Sequence, residues 1–204
     1  MTGVDCFTDY YDPGLKRANI AAALADPRFR LLELDLGVAD LGVLPDVRVV
    51  FHQAAQAGVR ASWGADFAAY VHHNVLATQR LCERYRGAPL ERFVYASSSS
   101  VYGDAERYPT DETTLPRPFS PYGVTKLAGE HLALLYGRNF RLPVVALRYF
   151  TVYGPRQRPD MAFHRFCRAL LADQPITVYG DGRDRKSTRL NSSHSRASRM
   201  PSSA

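Results

Sequence analysis

Cysteine is scarce in this chain. Its three cysteines, Cys6, Cys82 and Cys167, are far apart and odd in number. They make neither a metal-ligand spacing nor a disulfide framework, which fits a reducing cytoplasm. Long apolar runs are also missing, and nothing approaches the roughly 18 residues of a spanning helix, so no membrane partner is expected. The opening "MTGVDCFTDYYDPG" carries acids and lacks the basic-then-apolar order of a signal peptide. Lysine is as rare as cysteine, with three against a background of arginine. An excess of one charge is absent from most of the chain despite a formal net charge of +6. Residues 183–204 hold six basic side chains and one acid, which leaves 20 basic and 19 acidic residues in the first 182. A nearly neutral body argues against a nucleic-acid partner.

What is present is ordinary for a globular domain, with 46% hydrophobic and 23% charged residues. Short apolar runs, "RLLEL" (30–34), "RVVFH" (48–52), "RFVYA" (92–96), "PVVAL" (143–147) and "ITVYG" (176–180), read as buried strands. Amphipathic spacing predicts helices over 66–85, 121–138 and 161–173. This alternation argues an α/β fold, a parallel sheet covered on both sides, with ligands beyond the carboxyl ends of its strands. The fold region is expected to end at residue 182. The tail, "RDRKSTRLNSSHSRASRMPSSA", is Ser- and Arg-rich without periodicity. It reads as disordered and resembles translated adapter or vector sequence.

One of the three lysines, Lys126, follows Tyr122 by four positions in "SPYGVTKLAGE". On a helix the two share a face, and an ammonium beside a phenol favours the phenolate. Twelve tyrosines and three lysines give roughly 0.2 such spacings by chance, so the pair alone is a weak signal. "FVYASSSSVYG" (93–103) strengthens it, because a strand runs into four serines where a parallel sheet opens its site.

Together these stretches resemble the extended short-chain dehydrogenase/reductase superfamily, in its NAD-dependent epimerase/dehydratase branch of nucleotide-sugar enzymes. "VFHQAAQAGVRASW", "NVLATQRL", "LRYFTVYGPRQRPDM" and "PITVYGDG" follow in family order, over roughly residues 4–182. The resemblance implies a Rossmann-like doubly wound sheet, with Tyr122 as catalytic acid/base, Lys126 on the nicotinamide ribose and Ser98 on the reacting sugar oxygen. It places Asp5 on the adenosine ribose, favouring NAD over its phosphorylated form. Asp35 and Leu36 would flank the adenine, and Ala54 and Ala55 would admit the cofactor backbone. Gln53 departs from the commoner apolar residue. Asn74, Thr151, Arg156 and Arg158 are implied on the substrate side, and Thr151 matches a uronic-acid 4-epimerase subgroup. No residue is implied as a metal ligand, and His72, His73, His131 and His164 read as structural or solvated.

Two departures shape the expectation. No two glycines stand three apart, so the G-x-x-G-x-x-G turn is missing. The substrate lobe after "VYGDG" is replaced by the tail. The sequence is therefore expected to be a fragment without the first strand, glycine loop and first helix, and to bind NAD poorly as written. The implied activity is C4 epimerisation of a nucleotide diphosphate sugar, an isomerase reaction passing through a 4-keto sugar, by a cytoplasmic homodimer paired through helices 66–85 and 120–138. A decarboxylase, a dehydratase and a non-catalytic truncated domain stay open. Ser99 and Ser100 disfavour dehydration, because dehydratases carry Asp-Glu there.

Overall fold

Asp12 and Pro13 start the first helix. Asp12 caps α1 (Pro13–Leu24) by accepting from the Gly14 N–H at 2.8 Å. Pro13 sits in the first turn, where its missing N–H has no intrahelical partner to lose. The helix links β1 (Thr2–Asp5) to β2 (Arg30–Glu33), which pair in parallel from Thr2↔Arg30 to Asp5↔Glu33. The computed structural model describes residues 1–104 and 110–176. They divide into two compact units, one from 1–34 with 151–176 and one from 35–150. In the first, α5 (Ala162–Leu171) follows a loop that Arg156 ties back to α1 through the Asn19 carbonyl at 3.0 Å.

The second unit is built on three parallel strands in the order β3-β4-β5: β3 (Val49–His52), β4 (Arg92–Ser98) and β5 (Val144–Tyr149). β4 is central, and its Phe93 and Tyr95 are fully buried. The parallel pairing agrees with the sequence. The expectation of strands buried on both faces holds only for β4. Alternate residues of β5 are exposed, because α4 (Pro121–Phe140) packs on one side of β4 and β5.

The helix expected over 66–85 is a composite. α2 (Phe67–Tyr70) passes into a π-helical segment, Val71–Leu76, and then into α3 (Ala77–Tyr85). Wide turns of this kind interrupt helices at functional positions. α4 is capped by Ser120, whose Oγ accepts from the Gly123 N–H at 3.1 Å, and ends at Arg141 in the left-handed region. The strand expected at 176–180, beyond Ile176, and the tail at 183–204 lie outside the described residues. Among the described residues no helix is long and apolar enough to cross a membrane.

Candidate active site

β4 delivers its serines to the start of α4. Ser97 and Ser98 close the strand, and Ser98 Oγ accepts from the Ser100 N–H at 3.1 Å to open the short turn Ser99–Val101. That turn presses on the first turn of α4 at Gly123. A Cβ there would stand 2.7 Å from the Ser100 carbonyl oxygen, so only glycine permits the approach. Tyr122 is thus carried against the serine turn. It is half-buried, its ring edge-on to Tyr70 at 6.2 Å between centroids.

One helical turn further, Lys126 is buried to 3% exposure with Nζ 4.6 Å from the centre of the Tyr95 ring. Burial pulls its pKa down to about 8, against the opposing pull of Glu130. The Tyr95 phenol is pushed up by burial and then by neighbouring Tyr122, so it stays protonated. His52, at the end of β3, is held neutral with a pKa near 3 by burial and then by the Lys126 charge. These groups enclose the lysine in a poorly solvated pocket where its charge acts strongly on neighbours.

Two polar networks hold this arrangement. Asn74, in the π-helical segment, accepts from the Gln56 N–H at 2.7 Å. It donates to the Gln56 carbonyl and to Thr125 Oγ1, both at 3.0 Å. Asn74 is only 1% exposed and its amide is engaged on both sides. Both amide protons of Asn74, implied on the substrate side from sequence, are donated within the protein, and the residue braces the loop after β3 against α4. The second network was missed in the sequence. Glu130, one turn beyond Lys126, accepts from Ser97 Oγ at 2.5 Å and from Arg148 Nη2 at 2.7 Å. The spacing Tyr122–Lys126–Glu130 was a helical signal that could have found it.

The implied cofactor residues fall in both units. Asp5 ends β1, is exposed, and accepts from the Phe7 N–H at 2.7 Å. Asp35 accepts from the Gly37 N–H at 2.7 Å and meets His72 Nε2 at 2.9 Å. Burial raises its pKa, but the Gly37 and His72 interactions outweigh that and hold the carboxyl below its ordinary range. Leu36 is buried, and its carbonyl accepts from Arg80 at 2.7 Å. Ala54 and Ala55 are exposed just beyond the carboxyl end of β3. Within the second unit, small exposed residues at the end of β3, an acidic residue after β2 and a buried ammonium are groups that suit a dinucleotide. On the implied substrate side, Thr151 begins the loop, Arg156 holds Asn19, and Arg158 pairs with Asp160 at 3.2 Å. These three belong to the first unit, whereas Tyr122, Lys126 and Ser98 belong to the second. His72, read from sequence as structural or solvated, pairs with Asp35 at 2.9 Å, and His73 Nδ1 lies 4.0 Å from the same carboxylate.

Parallel strands with a serine turn meeting a Tyr-x-x-x-Lys helix define a Rossmann-like short-chain dehydrogenase/reductase site. The family model described as "NAD dependent epimerase/dehydratase family" matches residues 14–187, and the chain belongs to that family. The chain is 48% identical over 183 residues to the "Uncharacterized UDP-glucose epimerase YtcB" of Bacillus subtilis, covering 89% of this chain and 58% of the relative. It is 43% identical to UDP-glucuronate 4-epimerase 1 of Arabidopsis thaliana, covering 88% of this chain and 43% of the relative. Among solved structures, UDP-glucuronic acid 4-epimerase from Bacillus cereus, in complex with UDP-glucuronic acid and NAD, superposes with a TM-score of 0.85 at 49% identity. That match covers 89% of this chain and 58% of the other, so the chain spans between 43% and 58% of the length of these relatives.

Proposed function

We propose that this sequence carries the catalytic groups of an NAD-dependent 4-epimerase of UDP sugars, with a UDP-uronic acid as substrate. The observation that carries the reading is the buried Lys126 ammonium one helical turn from Tyr122, at the serine-lined end of β4. When bound, NAD supplies the acceptor and donor of the C4 hydride. Tyr122 takes the proton of the sugar 4-hydroxyl and returns it. A free phenol titrates near pH 10, so work at neutrality needs a drop of roughly three units, about 4 kcal/mol. A cation in a poorly solvated pocket acts in that direction. Ser98 Oγ already accepts from Ser100, which leaves its hydroxyl proton to donate to the sugar 4-oxygen.

The residues after Ser98 are Ser99 and Ser100, which offer no acid to expel water, so epimerisation is favoured over dehydration. The uronic acid is supported by the UDP-glucuronate relatives and by Thr151. A homodimer is supported by apolar residues left exposed on the composite helix, Phe67, Val71 and Leu76, and on α4, Val124, Leu134 and Leu135.

The test is a chimera in which residues 1–176 replace the matching stretch of the Bacillus cereus epimerase. With NAD bound, it should interconvert UDP-glucuronate and its C4 epimer by proton NMR. A folded, NAD-loaded chimera that turns over neither UDP-glucuronate nor UDP-glucose would overturn the reading.

A further inference from the structure

α4 carries a second buried charge that the proposed proton transfer leaves unused. Glu130 is 3% exposed, as is Lys126, and the two stand four residues apart on one side of the helix. β4 presents partners to both. Tyr95 and Ser97 are alternate residues of the strand, so their side chains share the face that meets α4. The Tyr95 ring lies against the Lys126 ammonium, its centre 4.6 Å from Nζ, while Ser97 Oγ donates to Glu130 Oε2 at 2.5 Å. β5 closes the other side of the carboxylate. Arg148, the register partner of Ser97, donates to Glu130 Oε1 from Nη2 at 2.7 Å and from Nε at 3.1 Å. Donors from two strands therefore hold this carboxylate ionised and fixed. We propose that Glu130 is a positioning residue of the site, whose fixed carboxylate keeps the buried Lys126 in its charged form.

The groups around the ammonium leave that task to Glu130. β3 brings His52, held neutral by burial, and β4 brings Tyr95, kept protonated by burial. α3 packs on α4 and brings Cys82, whose thiol burial pushes up to about 12. Asn74 and Thr125, bonded to each other beside the lysine, carry no charge. β5 brings Arg148, which has the same sign as Lys126, and α4 itself brings Tyr122 and Glu130. Among the described residues, Glu130 is the anion that acts on Lys126, opposing the effect of burial. The purpose of that charge rests on the epimerase reading, in which the ammonium favours the Tyr122 phenolate. A clamp between β4 and β5 alone would make the same Ser97 and Arg148 bonds and leave Lys126 unaffected, and the experiment reads that difference.

Lysine occurs three times in the chain, so labelling lysine with ¹³C at Cε gives three resonances, with Lys126 identified by its loss in Lys126→Met. Its titration midpoint, about 8 in the 204-residue parent, should fall in Glu130→Gln/Arg148→Met. The expected fall is about one pH unit, a roughly tenfold loss of proton affinity. Glutamine still accepts from Ser97, and methionine leaves no unpaired guanidinium, so the double variant should fold, as circular dichroism will check. An unchanged Lys126 midpoint in the folded double variant would overturn the proposal. Should that variant misfold, the unaltered chain decides. Its Glu130 carboxyl ¹³C resonance should show an inflection at the Lys126 midpoint, and a flat trace there would overturn the proposal as well. Neither measurement involves turnover, so an inactive chimera would remove the epimerase reading without altering this result.

Discussion

Replacing Glu130 by glutamine keeps the side chain's shape and removes its charge. The Glu130 and Arg148 side chains are 4% and 19% exposed, and Arg148 also meets Glu130 Oε1 through Nε at 3.1 Å. Without the carboxylate, a guanidinium remains in a poorly solvated site with no countercharge. Breaking a buried pair from one side costs about 3–5 kcal/mol. Glutamine can still accept from Ser97 or Arg148, which argues for the lower end, about 3 kcal/mol. With a urea slope of ~2 kcal/mol/M, the unfolding midpoint should fall by roughly 1.5 M.

The effect should depend on pH in a defined direction. Burial alone would raise the Glu130 pKa, but Arg148 and Ser97 outweigh it and hold the folded value below its ordinary range. A carboxyl depressed on folding contributes stability above its unfolded pKa, and that contribution is lost as pH falls through the folded value. The gap between the parent chain and Glu130→Gln should therefore be full at pH 7 and close on acidification below the ordinary carboxyl range. Pairing Glu130→Leu with Arg148→Met should recover most of the loss, since an apolar pair carries no desolvation cost. The reasoning is refuted if Glu130→Gln unfolds within about 0.5 kcal/mol of the parent at pH 7, or if the gap persists in acid.

The remaining predictions follow the same logic. Lys126→Met should stabilise the chain at pH 7 by something on the order of 3 kcal/mol, because the native ammonium is held at a pKa of about 8 by burial. The sign follows from the depressed value: the penalty is fully present below about pH 8 and is relieved as pH rises toward the unfolded lysine pKa. Urea melts at pH 7 and pH 9.5 read both effects, and a destabilised Lys126→Met would contradict them. Asn74→Ala should cost about 2–4 kcal/mol by urea melt, because it orphans the Gln56 backbone groups. Leu135→Asp should shift the chimera from dimer to monomer in light scattering, and an unchanged mass would remove α4 from the interface.

How much of this was legible in the sequence depended on the range of the contact. Four strands were visible as apolar runs and are observed within two residues of their expected ends. β1 was not, because "TGVD" contains one large apolar residue. α1 lacked an apolar stripe, yet Asp12-Pro13 carried its start signal. The spacing of Tyr122 and Lys126 was readable because a helix converts sequence distance into a shared face. The π-helical segment was not, since 3.6-residue periodicity cannot show where a helix widens. The bracing role of Asn74 was not legible either, because its partners Gln56 and Thr125 lie 18 and 51 residues away. The meeting of Asp35 with His72 spans 37 residues and leaves no local trace.

The central claim, that Tyr122 moves the proton of the sugar 4-hydroxyl, is tested most directly by kcat of the chimera with Tyr122→Phe. Loss of at least 100-fold in epimerisation, with NAD still bound and KM little changed, is the predicted result. Turnover within a few-fold of the parent chimera would contradict it.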